Sequence, residues 1–127
     1  MNREIHPPGI AAPAANYAHA VLSDHPARML HTSGAVATSP DGTVPDSVAE
    51  QAVVIWATLT ALLTEAGMTP ADVVSVTTYV VDGQELAPVM AARDTALGGH
   101  RAASTLIVVP RLARPEWLME IALVAGR

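Results

Sequence analysis

The sequence predicts an α+β fold: a mixed sheet with two helices on one face, in the order β-β-α-β-α-β-β. Three observations carry this. Two segments repeat apolar residues at helical spacing. Several shorter runs are dense in Val, Ile, Leu and Thr and read as strands. Gly, Pro and Asp punctuate the chain between them. The 127 residues suit one domain, 1–127, and with half of them hydrophobic a real core is affordable.

Residues 1–16, rich in Pro and Ala, read as an irregular lead-in. Tyr17–Ser23 and Arg28–Thr32 read as a strand pair joined by a hairpin turn at Asp24-His25-Pro26. Ser33-Gly34 follows, where glycine permits a sharp bend or close approach to a ligand. Asp41-Gly42 is a strong turn signal. The first helix opens on Ser47 and Glu50, spaced as a capping box. Its apolar stripe is Val48, Ala52, Ile55, Leu59, Leu62 and Ala66, and Gly67 stops it. Thr69-Pro70 turns the chain into a strand over Val73–Val81. A second helix spans about Leu86 to Leu97, with Pro88 tolerable only in its first turn. Its stripe is Leu86, Val89/Met90, Arg93 and Leu97, and Gly98-Gly99 ends it. Thr105–Val109 and Trp117–Ala125 read as adjacent buried strands around a turn containing Pro and Arg. A sheet apolar on both faces but covered by only two helices leaves one face for another subunit.

Composition excludes several classes of function. The net charge is −5 and all seven basic residues are Arg, with no cluster, so the chain lacks the basic face that grips a phosphate backbone. There is no Cys and the five His are scattered, so neither a disulfide nor a metal site or other cofactor is expected. Glu65 and Asp72 interrupt the apolar segments, so no membrane span is expected; the N-terminus lacks a signal-peptide core, and a cytoplasmic protein is the default.

One residue is out of place in the last strand. Glu120 alternates with Leu118, Ala122 and Val124, so these four point to one side. A carboxylate among apolar neighbours loses solvation and resists ionising unless a donor or cation meets it. Glu120 is either an acid/base group or a strand-end glutamate reaching water or pairing with Arg111 or Arg114. Arg93 is either a snorkelling side chain or a cation aimed at an anion. His31, two residues before Ser33, is either structural or a second acid/base group.

Further marks carry a resemblance. They are Thr32-Ser33-Gly34, Asp41-Gly42-x-Val44-Pro45, Gln51, Leu62, Ala66-Gly67 and Asp72-Val73-Val74. Thr77, Tyr79, Asp82, Ala103-Ser104-Thr105, Arg111-Leu112 and Glu120-Ile121 complete the set. In order and spacing these residues resemble the RidA/YjgF family of enamine and imine deaminases, also called the endoribonuclease L-PSP group. The resemblance implies a chorismate-mutase-like fold and a homotrimer with a small-molecule cleft between subunits. It implies Glu120 as the catalytic carboxylate, with Tyr17 and the Ser33-Gly34 loop completing a substrate cleft. In the family an arginine near the start of the penultimate strand clamps the substrate carboxylate; Ser104 stands in that place here. Met90 stands where the second helix often contributes an asparagine.

The resemblance therefore implies a hydrolase of the enamine/imine deaminase type with an altered substrate, Ser104 bonding a neutral group. Its alternative is a non-catalytic trimeric metabolite-binding protein of the same fold. The ribonuclease activity of some relatives is argued against by the acidic balance and the absence of Lys. Arg93, one turn beyond Met90, and Arg101, three residues before Ser104, are the cations available to replace the lost clamp.

Overall fold

The computed structural model describes residues 1–127 throughout. The elements are β1 (Asn2–Ile5), β2 (Ala20–Ser23), β3 (Met29–His31), α1 (Val48–Glu65), β4 (Val73–Val81), α2 (Ala87–Leu97), β5 (Ala103–Val109) and β6 (Met119–Gly126). The α+β layering expected from the sequence is present: one four-stranded mixed sheet with both helices against one face.

Helix α1 starts where its cap residue dictates. Ser47 is extended and its Oγ accepts the Glu50 N–H at 3.1 Å, satisfying one of the free donors of the first turn. Val48, Ala52, Ile55 and Leu59 are buried as expected, but Leu62 is 42% exposed and Leu63 takes its place at 2%. The buried sector is rotated toward Trp56 and Leu63, because the bulky Trp56 packs inward and the stripe follows it. Each fully buried side chain of this size contributes about 1.5–3 kcal/mol. Gln51 is fully buried yet satisfied: its Nε2 donates to Pro45 O (2.7 Å) and Glu116 O (2.8 Å), and its Oε1 accepts the Leu118 N–H (2.9 Å). That side chain fixes where the chain enters β6. By length and composition α1 is apolar enough to cross a membrane, contrary to the sequence expectation, but its buried residues belong to the core against the sheet.

Helix α2 carries Pro88 in its first turn and ends on Gly98, whose left-handed φ of 59° lets its N–H reach Asp94 O and Thr95 O. Its buried residues are Val89, Arg93 and Leu97; Leu86 lies before the helix and is exposed.

The strand order is β3-β6-β4-β5. Strands β4 and β5 are parallel, joined through α2 by a crossover, and β6 inserts antiparallel between β3 and β4. The two C-terminal strands are therefore not neighbours, as the sequence had suggested. The crossover from β4 delivers β5 to the edge, and the Pro110–Leu118 segment carries the chain back over β4. Strand β5 keeps Ile107 and Val108 substantially exposed.

A second correction concerns the N-terminus. β1 lies within the segment read as irregular, and it pairs antiparallel with β2 from Asn2↔Ser23 to Ile5↔Ala20. The predicted β2–β3 hairpin does not form; β3 pairs with β6 instead. The Asp24–Arg28 turn, with His25 in the left-handed region at φ 49°, directs the two strands to different partners. Asn2 Nδ2 donates to Gly126 O at 2.9 Å and ties the β1–β2 pair to the end of the main sheet.

Register separates the two faces of the main sheet. Met119, Ile121, Leu123 and Ala125 of β6 face the helices at 0–2% exposure, with Val73, Val76, Thr78 and Val80 of β4. The other face presents Glu120, Ala122 and Val124, with Thr77 and Tyr79 of β4, Thr105 and Ile107 of β5, and Met29 and His31 of β3. These residues are half-buried or exposed, because no layer covers them within the chain.

Candidate functional site

The sequence-predicted site residues fall into two groups on opposite sides of the sheet. The first surrounds Glu120. Beyond β3 the chain continues alongside β6: Thr32 N–H donates to Leu123 O (3.0 Å), and Thr32 Oγ1 accepts the Leu123 N–H (2.9 Å). Ala35 and Ile121 then exchange both backbone bonds, at 2.7 and 3.1 Å. These bonds draw Ser33-Gly34 across Glu120. A Cβ built on Gly34 would overlap the Glu120 carboxylate, so with any other residue there the Glu120 side chain would have to move from this position. Across the sheet Glu120 is registered directly opposite Tyr79.

Glu120 is half-buried and has no basic side chain within ion-pair distance. The alternative pairings raised by the sequence do not occur. Arg114 lies 3.9 Å from Glu116 and stacks over Trp117, and Arg111 is exposed. With no cation holding it, the carboxylate is left to hydrogen-bond a ligand placed on this face. His31 shares this face but pairs with Val124, four residues along β6, which is roughly 13 Å away at ~3.3 Å per residue. It does not join Glu120 within the chain.

The second group gathers at the start of β5, beside α2. Ala18 N–H donates to Ala102 O at 3.0 Å, which sets Tyr17 next to Ala103-Ser104. The Tyr17 hydroxyl accepts the Ala14 N–H at 3.3 Å and its ring meets His19 edge-on. Ser104 pairs with Val76 and so faces the helices. There Arg93 reaches it: Nη1 donates to Ser104 Oγ at 3.4 Å, and Nε donates to Asp94 Oδ1 at 3.0 Å. Arg93 is buried and does not snorkel, its side chain 9% exposed. Met90 lies one turn before it, half-buried. Arg101 is engaged by its own chain, donating through Nη2 to Tyr17 O at 2.6 Å with Nε 3.8 Å from a Glu4 carboxylate oxygen. It holds β1 and the Tyr17 segment to the β5 entry.

Within one chain, then, Glu120, Ser33 and Gly34 are together, and Tyr17, Met90, Arg93, Ser104 and Arg101 are together. The groups are separated by the sheet, by two strand spacings, and by three residues of register along β4. Sequence reading missed Tyr79 and Asp94 as neighbours of the key groups. Tyr79 stood in a recognised strand, but only the β4–β6 register shows that it opposes Glu120. Asp94 follows Arg93 directly, a local signal that was available. His, Asp and Glu side chains do not converge in threes anywhere in the chain.

Residues 9–126 match a family model described as endoribonuclease L-PSP. Among solved structures, the Rid-family protein YyfB from Yersinia pestis, itself described as of unknown function, superimposes with a TM-score of 0.87 at 34% identity, covering 99% of this chain and 98% of that one. A YjgF-family member from Mycobacterium tuberculosis gives 0.69 at 26% identity over 90% of this chain and 89% of the other. E. coli TdcF, solved with bound serine, gives 0.72 at 23% identity over 98% of each chain, a likeness of fold. A search of curated proteins finds no match.

Proposed function

Because the chain belongs to the endoribonuclease L-PSP family, with the Rid/YjgF proteins, we propose that it hydrolyses a small imine or enamine at clefts formed between copies of itself. The observation that carries this reading is the Glu120 carboxylate, cationless and half-buried against Gly34 on a sheet face that the chain leaves uncovered. The two groups of site residues lie on opposite faces, so one ligand meets both only where a second copy lays its Glu120 face near the β5 edge of the first. A closed ring, the trimer of the RidA-like proteins, repeats that contact and buries every open face.

In such a cleft Glu120 supplies the proton transfers. For an enamine, its protonated form delivers a proton to the carbon, leaving an iminium and the Glu120 carboxylate. For the imine, its carboxylate takes a proton from water as the water oxygen bonds to the carbon. The proton then goes to nitrogen, and the carbon–nitrogen bond breaks as the new hydroxyl returns its proton to the carboxylate, so that ammonia leaves a carbonyl product. Serine bound to TdcF, which shares the fold, supports a small amino-acid-like ligand. Ser104 gives the substrate end of the cleft a hydroxyl where RidA-like deaminases have arginine. That substitution also favours the second reading, a metabolite-binding trimer without turnover.

The test is ammonia release from 2-aminoacrylate generated in place by a lyase. The wild type is expected to accelerate release over buffer, and Glu120→Gln to lose ~100-fold or more of that acceleration. Wild-type release no faster than buffer with any generated imine would replace the deaminase reading with the binding one.

A further inference from the structure

A cavity of about 360 Å³ lies between the two helices, and none of its lining residues belongs to either group of site residues. Val53, Trp56, Ala57 and Thr60 form its α1 wall. Ala92, Thr95 and Ala96, one stripe along α2, form the other. Its origin is local. Where the helices meet, the inward positions carry bulk: Trp56, Leu59 and Leu63 from α1, Val89 and Leu97 from α2. The positions beside them are Ala57, Ala92 and Ala96, whose methyl groups are too short to fill the space between the helices.

The cavity is uncharged. From Gln51 to Thr64 α1 has no Asp, Glu, Lys or Arg, although Val53, Ala57, Thr60 and Leu62 are exposed. A helix face left to water ordinarily carries charge. Polar groups are nevertheless left free within this apolar setting. The Trp56 indole N–H is buried and has no acceptor in the chain, in a residue only 5% exposed. Buried donors are nearly always paired, so an orphan calls for an explanation. Thr58 and Thr64 return their hydroxyls to Val54 O and Thr60 O, at 3.2 and 3.0 Å. Thr60 and Thr95, the two threonines of the cavity, make no such bond. Apolar walls with a few unspent polar groups are the make-up of a small-molecule site, and the volume falls at the small end of the ~300–1,000 Å³ range of such sites.

We propose that the cavity binds a neutral, largely apolar small molecule bearing one hydrogen-bond acceptor, a carbonyl or ether oxygen. The Trp56 N–H donates to that oxygen. A carbonyl oxygen has a second lone pair, which Thr60 or Thr95 meets with its hydroxyl. The absence of charge on the walls selects against anions and cations alike, because neither would find a partner on leaving water. This site does not depend on the deaminase reading.

The experiment follows the Trp56 indole resonance in nitrogen–proton NMR correlation spectra of the full chain. The chain has two Trp, so Trp56→Phe assigns the peak. Three probes of similar size are titrated: acetophenone, which is neutral and has an acceptor; ethylbenzene, which has none; and benzoate, which is charged. Acetophenone is expected to move the Trp56 peak downfield to saturation. It should bind about fivefold more tightly than ethylbenzene, the worth of one net hydrogen bond, and benzoate should leave the peak unmoved. Ala57→Leu, at an exposed helix position, occupies the cavity without entering the core. It is expected to abolish the acetophenone shift with the circular dichroism of wild type; Thr95→Leu, exposed on the other wall, serves if Ala57→Leu does not fold. No Trp56 shift up to the solubility of acetophenone, equal binding of acetophenone and either control, or a shift that survives in the filled variant overturns the proposal. So does a Trp56 peak that moves with protein concentration in the absence of any probe, which would assign the groove to a second copy of the chain.

Discussion

Strand β6 is one strand in two environments, and the contrast between its faces organises the molecule. Its odd-numbered residues, Met119 to Ala125, are sealed under α1 at 0–2% exposure. Its even-numbered residues, Glu120, Ala122 and Val124, have the Thr32–Ala35 strap beside them and no layer above. The first face is complete within the chain and holds only apolar side chains on β6. The second keeps a carboxylate and lies opposite Tyr79 and Thr77. The core lies on one face, and the carboxylate of the proposed site lies on the other.

The difference can be broken from either side. Ile121→Ala empties a fully buried position and is expected to cost about 2–5 kcal/mol in denaturant unfolding. A loss under about 1 kcal/mol would mean that the helix-covered face is not the main store of stability. Ala122→Arg, one residue away, places a charge at the centre of the open face. It is expected to leave the chain monomeric by light scattering, where the proposed wild-type ring is larger, while the helical circular dichroism persists. An unchanged mass would show that the face is free in solution.

The sequence made the covered face readable and the site only partly so. Periods of 3.6 and 2 are set by the covalent geometry of helix and strand. That is why α1, α2, β4 and β6 and the two-sided character of β6 could be read directly. The stripe erred only at Leu62, where packing of Trp56 turned the helix toward Leu63. β1 was hidden because three of the four residues in Asn2–Ile5 are charged or polar and give no apolar alternation. Pairing partners were the larger loss. Nothing local tells β3 to choose β6 over β2, or β5 to stand at an edge, because those choices depend on closing the core as a whole. The same limit applied to the site. Glu120 and Gly34 were each visible as anomalies, whereas Arg93 reaching Ser104 requires α2 to be docked. The distribution of the site over two sheet faces requires the full register.

The central claim is that one functional cleft needs Glu120 from one copy and the Arg93–Ser104 edge from another. Subunit mixing tests it most directly. Glu120→Gln and Ser104→Asp proteins are each expected to be inactive in ammonia release alone. Unfolded together and refolded as mixed oligomers, they should regain a substantial fraction of wild-type activity, since some clefts then combine an intact Glu120 with an intact Ser104. Mixed oligomers that form, as verified by differential tagging, yet stay as inactive as their parents would contradict the account.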